Sequence, residues 1–210
     1  MLVVAEGISE NSDILVEPYA AVRIPSLAMT KSKEPSSMCI LRASTCSTIT
    51  NTPGFYTPIP SLDPTKVVFT KEIPDMGVGL FAKCAVKAQH VVFSERPLLI
   101  FPKILSCNRQ GLSDEEAIEK HQLTFEKQLE QVLHAMTKED SDAYKSLSNC
   151  LPKCPRLYGI ARTNAFGTGS DIEEDNFEEG KVEHAAVGRL ASRINHSYVA
   201  WSLFQFSTCS

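Results

Sequence analysis

The 210-residue sequence predicts a mostly β fold with an α-helical insertion, which belongs to the α+β class. Two observations predict it. Runs of β-branched and aromatic residues, punctuated by Gly and Pro, fill residues 66–101, and a helical period takes over after residue 113. The hydrophobic content of 43% suits one moderate core rather than two domains.

Residues 1–64 differ in composition from the rest of the chain. They carry clusters of Ser, Thr and Pro, such as STCSTITNTPG and TPIPSLDP, and little hydrophobic periodicity. Such segments are typical of chains that cannot bury enough apolar surface to become ordered. We therefore predict a flexible leader over residues 1–64 and a folded domain over residues 65–197.

Four short strands are predicted at the start of the folded domain. Each combines β-branched or aromatic residues with Gly, Pro or Asp at its ends, as short strands in compact sheets do. They are residues 67–69, 79–82, 91–95 and 97–101.

Two helices are predicted as an insertion over residues 113–149. Ser113 with Glu116 forms a capping-box pattern, which can satisfy two backbone N–H groups at a helix N-terminus, and Thr137 with Asp140 repeats it. One face of the first helix carries apolar residues at intervals of four, three and four, namely Phe125, Leu129, Val132 and Met136. The opposite face is predicted to meet solvent and carries Glu119, Lys120, Glu126, Lys127 and Glu130.

Two later segments leave alternatives open. Residues 157–166 (LYGIARTNAF) fit either a last helix or a strand. The acidic stretch over residues 171–183 reads as a solvated loop, with a surface for basic peptides as the weaker alternative.

Composition excludes several classes of protein. A net charge of −4 gives no basic face for direct nucleic-acid binding, and no apolar run approaches the ~20 residues needed to cross a bilayer. Seven cysteines without a regular framework indicate a reducing, intracellular compartment, either nucleus or cytoplasm. No metal is predicted, because the spacing of the nearest candidates is too loose for structural zinc: Cys150, Cys154, His184 and His196.

Two short motifs offer groups to a ligand. Gly77-Val78-Gly79 places two glycines where a backbone can approach a ligand closely, although ordinary turns between strands also use this pattern. It is not a dinucleotide fingerprint, because no third glycine opens a helix after it. Asn195-His196 presents an amide and an imidazole, which suit either a polar ligand or a buried structural pair.

Four segments follow one another in a particular order: GVGLFA at 77–82, FSERPLL at 93–99, RTNAFG at 162–167 and SRINHS at 192–197. This succession resembles the SET domain, the fold of most protein-lysine methyltransferases. The helical insertion without an internal zinc module is similar to the fungal SET/MYND-like type that lacks the MYND zinc finger. The resemblance covers roughly residues 66–197, and its most specific segments are the first and the last.

The resemblance implies S-adenosylmethionine as cofactor and a protein lysine, on a histone or another protein, as substrate. By position in the family's motifs it assigns cofactor contacts to Gly77, Val78, Gly79, Asn195 and His196. It marks Asn164, Ser192 and Ile194 as weaker candidates. Methyl transfer depends on aligning a neutral lysine amine with the methyl group more than on acid–base catalysis.

The sequence departs from the family after Ser197. The family motif runs N-H-S-C-x-P-N and continues to a segment that delivers a catalytic tyrosine, whereas here residues 198–201 read YVAW. Residues 198–210 are therefore expected to be an aberrant tail, from an unspliced intron or a frame change, on a truncated SET domain. No catalytic residue is assigned. Two hypotheses follow: a lysine methyltransferase that is inactive in this form, or a non-catalytic SET-fold binding module.

Overall fold

The computed structural model describes residues 19–24, 36–53, 64–74, 77–88, 90–103, 111–168 and 183–194. Its seven described strands are Tyr19–Ile24 (β1), Ser37–Arg42 (β2), Val68–Ile73 (β3), Gly77–Ala82 (β4), Leu99–Pro102 (β5), Ala165–Thr168 (β6) and His184–Val187 (β7). Its four described α-helices are Ala43–Asn51 (α1), Asp114–Ala135 (α2), Lys138–Lys145 (α3) and Arg156–Asn164 (α4). Two short 3₁₀ helices cover Pro64–Lys66 (η1) and Ala191–Arg193 (η2).

The strands form a five-stranded mixed sheet and a separate two-stranded hairpin. The order in the sheet is β1-β2-β5-β7-β6, and β2 with β5 is its one parallel pair among the described strands. Strands β3 and β4 form the hairpin, in which Ile73 is paired with Gly77. The α-helices hold more of the described residues than the strands do, so the structure is mixed α/β rather than mostly β.

The prediction of a flexible leader is wrong for the described residues before 64. Strand β2 lies inside the five-stranded sheet, where Met38 and Cys39 pair with Leu99 and Ile100 of β5. A strand that is covered on both faces reads as a continuous apolar run, and β2 contains the run Met-Cys-Ile-Leu. The sequence did not predict this strand, because segments rich in Ser, Thr and Pro surround the apolar run.

The predicted strands near the hairpin are confirmed, whereas the one over residues 91–95 is not. Strands β3 and β4 include the predicted residues 67–69 and 79–82 almost entirely. Residues 91–95 form no strand, and the side chain of Val91 is 62% exposed. Strand β5, which overlaps the predicted strand over residues 97–101, begins at Leu99. Backbone pairing already starts at Leu98, whose N–H donates to the Val187 carbonyl oxygen and whose carbonyl oxygen accepts from the Met38 N–H. The Glu95 side chain instead accepts hydrogen bonds from the start of η2.

The helical insertion is confirmed. Ser113 and Glu116 form a complete capping box at the start of α2. At the start of α3 the Thr137 hydroxyl accepts from the Asp140 backbone N–H, and the Asp140 carboxylate accepts from that hydroxyl rather than from a backbone N–H. The segment left open between helix and strand forms both, since α4 runs directly into β6.

One hydrophobic core lies between the helices and the sheet. The predicted apolar face of α2 is buried there at Phe125, Leu129 and Val132, against the inner strands of the sheet and α4. Tyr144 of α3 is fully buried in the same core, and its hydroxyl donates a hydrogen bond to the Leu157 carbonyl oxygen at 2.9 Å. Among the described residues, no helix is both long and apolar enough to span a membrane.

Candidate functional site

The first predicted motif lies next to the segment that precedes the second. Strand β4 contains Gly77, Val78 and Gly79, and it packs against η2, which leads to Ile194. These elements lie far apart in the sequence and in separate parts of the topology. Asn195 and His196 lie outside the described residues, as do residues 198–210, so the predictions for them stay predictions.

Gly77 occupies a backbone conformation that favours glycine. Its φ is +77°, and an ideal Cβ at this position would lie 3.5 Å from the Ser148 Oγ. Gly77 is exposed, Val78 half-buried and Gly79 buried. The start of β4 therefore offers main-chain groups at the surface, next to the segment that follows α3.

Asn164 joins two parts of the structure through its side chain. It is buried, and its Nδ2 donates to the carbonyl oxygens of Ser148 and Ile160, each at 2.7 Å. Both amide hydrogens are thereby used within the protein. Its side chain thus fixes the end of α4 against the segment beside Gly77, which makes Asn164 a support of the predicted site.

Ser192 connects η2 to the end of α4. Its hydroxyl donates to the Asn164 main-chain oxygen at 3.0 Å and accepts from the Gly188 N–H at 3.1 Å. The residues that the family resemblance marked as weaker candidates, Asn164 and Ser192, therefore contact each other. Together they link Ser148, which follows α3, to the end of α4 and to η2.

Glu95 is the residue at this site for which the sequence suggested no role. Its Oε1 accepts from the Ala191 N–H at 2.7 Å, and its Oε2 accepts from the Leu190 N–H at 2.9 Å. Burial raises the pKa of the Glu95 carboxyl, and the backbone N–H donors with the nearby charge of Arg189 oppose that rise. Glu95 lies in the quoted segment FSERPLL, but nothing in that segment indicates its distant partners.

Gly188 makes room for the Glu95 carboxylate. An ideal Cβ on Gly188 would overlap the Glu95 Oε1 and would lie 3.2 Å from the Glu95 Cδ. It would also lie 3.0 Å from the Ala191 Cβ. The close approach of the two segments at this point therefore depends on the absence of a side chain at Gly188.

Two arginines tie the same loop to α3. Arg189 forms ion pairs with Glu139 and Asp140, both at 2.8 Å, and Arg193 donates to the Ser146 Oγ at 3.1 Å. The Arg189–Glu139 pair and the Arg193 hydrogen bond are exposed, so each adds little to stability, whereas Asp140 is half-buried. Arg189 binds the N-terminal end of α3, and Arg193 binds its C-cap.

Among the described residues, no three His, Cys, Asp or Glu side chains are grouped closely enough to hold a metal ion. A cavity of about 430 Å³ lies beside α2 and α3, where His134, Lys138 and Asp142 contribute to its lining. The predicted cofactor contacts that the structure describes do not line this cavity.

Comparison with protein-family models, with curated proteins and with solved structures found no match to the chain. The functional interpretation therefore depends on the residues themselves.

Proposed function

We propose that this chain is a SET-type protein that binds S-adenosylmethionine where β4 contacts η2, and that it is functionally related to protein-lysine methyltransferases. The observation that carries the proposal is the packing of β4 against η2. It joins the Gly77–Gly79 segment to the residues that precede Asn195, the two motifs on which the resemblance depends. The proposed protein substrate presents a lysine side chain, on a histone or another protein.

The described residues fit the chemistry of this cofactor. S-adenosylmethionine carries a carboxylate, an amine and an adenine, which call for several backbone and amide partners rather than one phosphate cradle. Gly77 is exposed and carries no side chain of its own, and Gly79 is buried. When bound, the cofactor would supply an electrophilic methyl group to a neutral lysine amine.

The polar residues near the site act as supports in this proposal. Asn164 and Ser192 use their side chains within the protein, so they hold α4, η2 and the segment around Ser148 together. The ligand contacts would then come from main-chain groups of Gly77, Val78 and Gly79. Ile194, the Asn195 amide and the His196 imidazole would provide the remaining contacts.

A second candidate is a non-catalytic binding module with the same cofactor site. The observation that favours it is the sequence at 198–201, where Tyr198, Ala200 and Trp201 stand in place of the family's Cys, Pro and Asn. Cofactor binding needs the first motif and Asn195-His196, whereas transfer also needs the lysine channel. We therefore expect the chain to bind the cofactor and to transfer no methyl group.

A pair of glycine variants tests cofactor binding. Gly77 and Gly111 have nearly equal positive φ angles, +77° and +76°, and Gly111 has no atom within 4 Å of an added Cβ. Gly77→Ala and Gly111→Ala should each lose about 1–2 kcal/mol of unfolding free energy from backbone strain. Only Gly77→Ala should weaken the binding of S-adenosylmethionine measured by calorimetry, by about tenfold or more. Equal affinities of the two variants, or no binding by the wild-type chain, would overturn the proposal.

A variant with the family residues tests the choice between enzyme and binding module. Tyr198→Cys, Ala200→Pro and Trp201→Asn together restore the family motif after Ser197. Transfer of labelled methyl groups from S-adenosylmethionine to histones or to a lysine peptide library is then measured for both chains. Transfer by the wild-type chain would reject the non-catalytic candidate, whereas cofactor binding without transfer in the wild-type chain would support it.

A further inference from the structure

We propose that Glu95 is a positioning residue, which holds the loop of residues 188–194 at β4 and thereby sets the affinity of the cofactor site. The inference rests on the proposed function for its effect on cofactor binding. Its structural part, the anchoring of the loop, can be tested without any cofactor.

The hydrogen bonds of Glu95 carry the inference. One carboxylate accepts from the N–H groups of two consecutive residues, Leu190 and Ala191, at 2.9 and 2.7 Å. Hydrogen bonds to an ionised acceptor are shorter and stronger than bonds between neutral groups. The two bonds fix the backbone that enters η2, three residues before Ile194 ends the described segment.

The shape of the loop around Glu95 is a second, independent observation. Gly188 leaves space that the Glu95 carboxylate occupies, since an added Cβ would overlap the Oε1 atom. The Ser192 hydroxyl then accepts from the Gly188 N–H, which closes the loop on itself. The Glu95 carboxylate therefore occupies the space beside Gly188, whereas the loop's own Arg189 and Arg193 bind residues of α3 and its C-cap.

The position of Glu95 along the chain explains how it would affect the cofactor site. It lies between β4 and β5, and its partners lie between β7 and Asn195. Because the Glu95 side chain bridges these two segments, it restrains the position of each segment near the contact between β4 and η2. Without Glu95, the loop of residues 188–194 would keep its contacts with α3 and α4 but would lose its contact with the segment between β4 and β5.

The chain offers a matched control in Glu126. Its carboxylate also accepts from two consecutive backbone N–H groups, those of Leu157 and Tyr158 at 2.9 and 2.7 Å. These lie at the start of α4, where they support the helix and not η2. Glu95→Gln and Glu126→Gln therefore remove the same kind of interaction at two different places.

The test measures amide hydrogen exchange and cofactor affinity in the full chain. In Glu95→Gln, exchange at Leu190 and Ala191 should rise by about tenfold or more, and the dissociation constant for S-adenosylmethionine by about tenfold. In Glu126→Gln, exchange should rise at Leu157 and Tyr158 instead, and the dissociation constant should change by less than about twofold. Gly188→Ala should reproduce the pattern of Glu95→Gln, because it displaces the carboxylate.

The outcomes separate this inference from the proposed function. Unchanged exchange at Leu190 and Ala191 in both Glu95→Gln and Gly188→Ala would overturn the anchoring role. Equal loss of affinity in Glu95→Gln and Glu126→Gln would mean a general loss of stability and would overturn positioning. If the wild-type chain binds no S-adenosylmethionine, the proposed function and the affinity effect fail together, and the exchange data still decide whether Glu95 anchors the loop.

Discussion

The hydroxyl of Ser192 donates a hydrogen bond to the main-chain oxygen of Asn164 at 3.0 Å, and this bond joins η2 to the end of α4. The same hydroxyl accepts from the Gly188 N–H. Ser192, the first residue of the SRINHS segment, is thereby hydrogen-bonded to Asn164 of the RTNAFG segment. The candidate site depends on this link as much as on the motifs themselves.

Ser192→Ala should lower the free energy of unfolding by about 1–3 kcal/mol, because it leaves the Gly188 N–H and the Asn164 oxygen without this partner in a partly buried place. Denaturant unfolding followed by circular dichroism measures the change. Thr48→Ala is the control, since its hydroxyl is exposed on α1 and water can replace it, with a loss below about 0.5 kcal/mol. Equal losses in the two variants would contradict the linking role of Ser192.

Tyr144→Phe should destabilise the chain by about 1–3 kcal/mol without changing the denaturant m-value. The ring is fully buried, and the variant leaves the Leu157 carbonyl oxygen without the hydroxyl that bonds to it at 2.9 Å. Urea unfolding measures both quantities. A loss below about 0.3 kcal/mol would mean that water or another donor satisfies Leu157 instead.

Cys39 should resist alkylation in the folded chain. Burial, with a smaller contribution from Cys46 and against the opposing charge of Arg96, raises the pKa of its thiol to about 12. At pH 8 only about one thiol in ten thousand would be ionised, and the thiolate is the reactive form. Treatment with iodoacetamide followed by peptide mass spectrometry should modify the exposed Cys84 and Cys150 first, and Cys39 only after unfolding. Labelling of Cys39 at the rate of Cys84 would show that β2 opens readily.

The Glu95 carboxyl should titrate above its ordinary value of 4.5, because burial raises its pKa in the folded chain. Arg189 is the charged group that faces it and acts in the opposite direction. Since the folded state holds this proton more tightly than the unfolded state, protonation of Glu95 adds stability that is fully present below about pH 4.5 and is lost as the pH rises through the folded pKa. The hydrogen bonds of the ionised carboxylate to Leu190 and Ala191 remain above that pH. The difference in unfolding free energy between wild type and Glu95→Gln should therefore decrease with rising pH. A carboxyl resonance with a midpoint at or below 4.5 would contradict this.

The local features of the insertion could be predicted from the sequence. Ser113 and Glu116 are three residues apart, so their capping box depends on few others, and the structure contains it as predicted. The apolar spacing of Phe125, Leu129 and Val132 likewise fixes which face of α2 is buried. Glu126, however, was placed on the solvated face, whereas its carboxylate binds the first N–H groups of α4. The sequence of α2 contains no sign of that distant partner.

Helices α2 and α3, their caps and the strands of the β3–β4 hairpin could be predicted from the sequence, because each depends on residues close together in the chain. The sequence predicted no helix at α1 and fitted either a helix or a strand at α4. The position of β2 inside the sheet is visible only in the folded structure, since its burial requires β1 on one side and β5 on the other. The same is true of Glu95, which binds Leu190 and Ala191 and does not form part of a strand. The Glu95 carboxylate and the apolar run of β2 both contact residues from distant parts of the chain. A buried polar group needs such partners, and the local sequence does not indicate them.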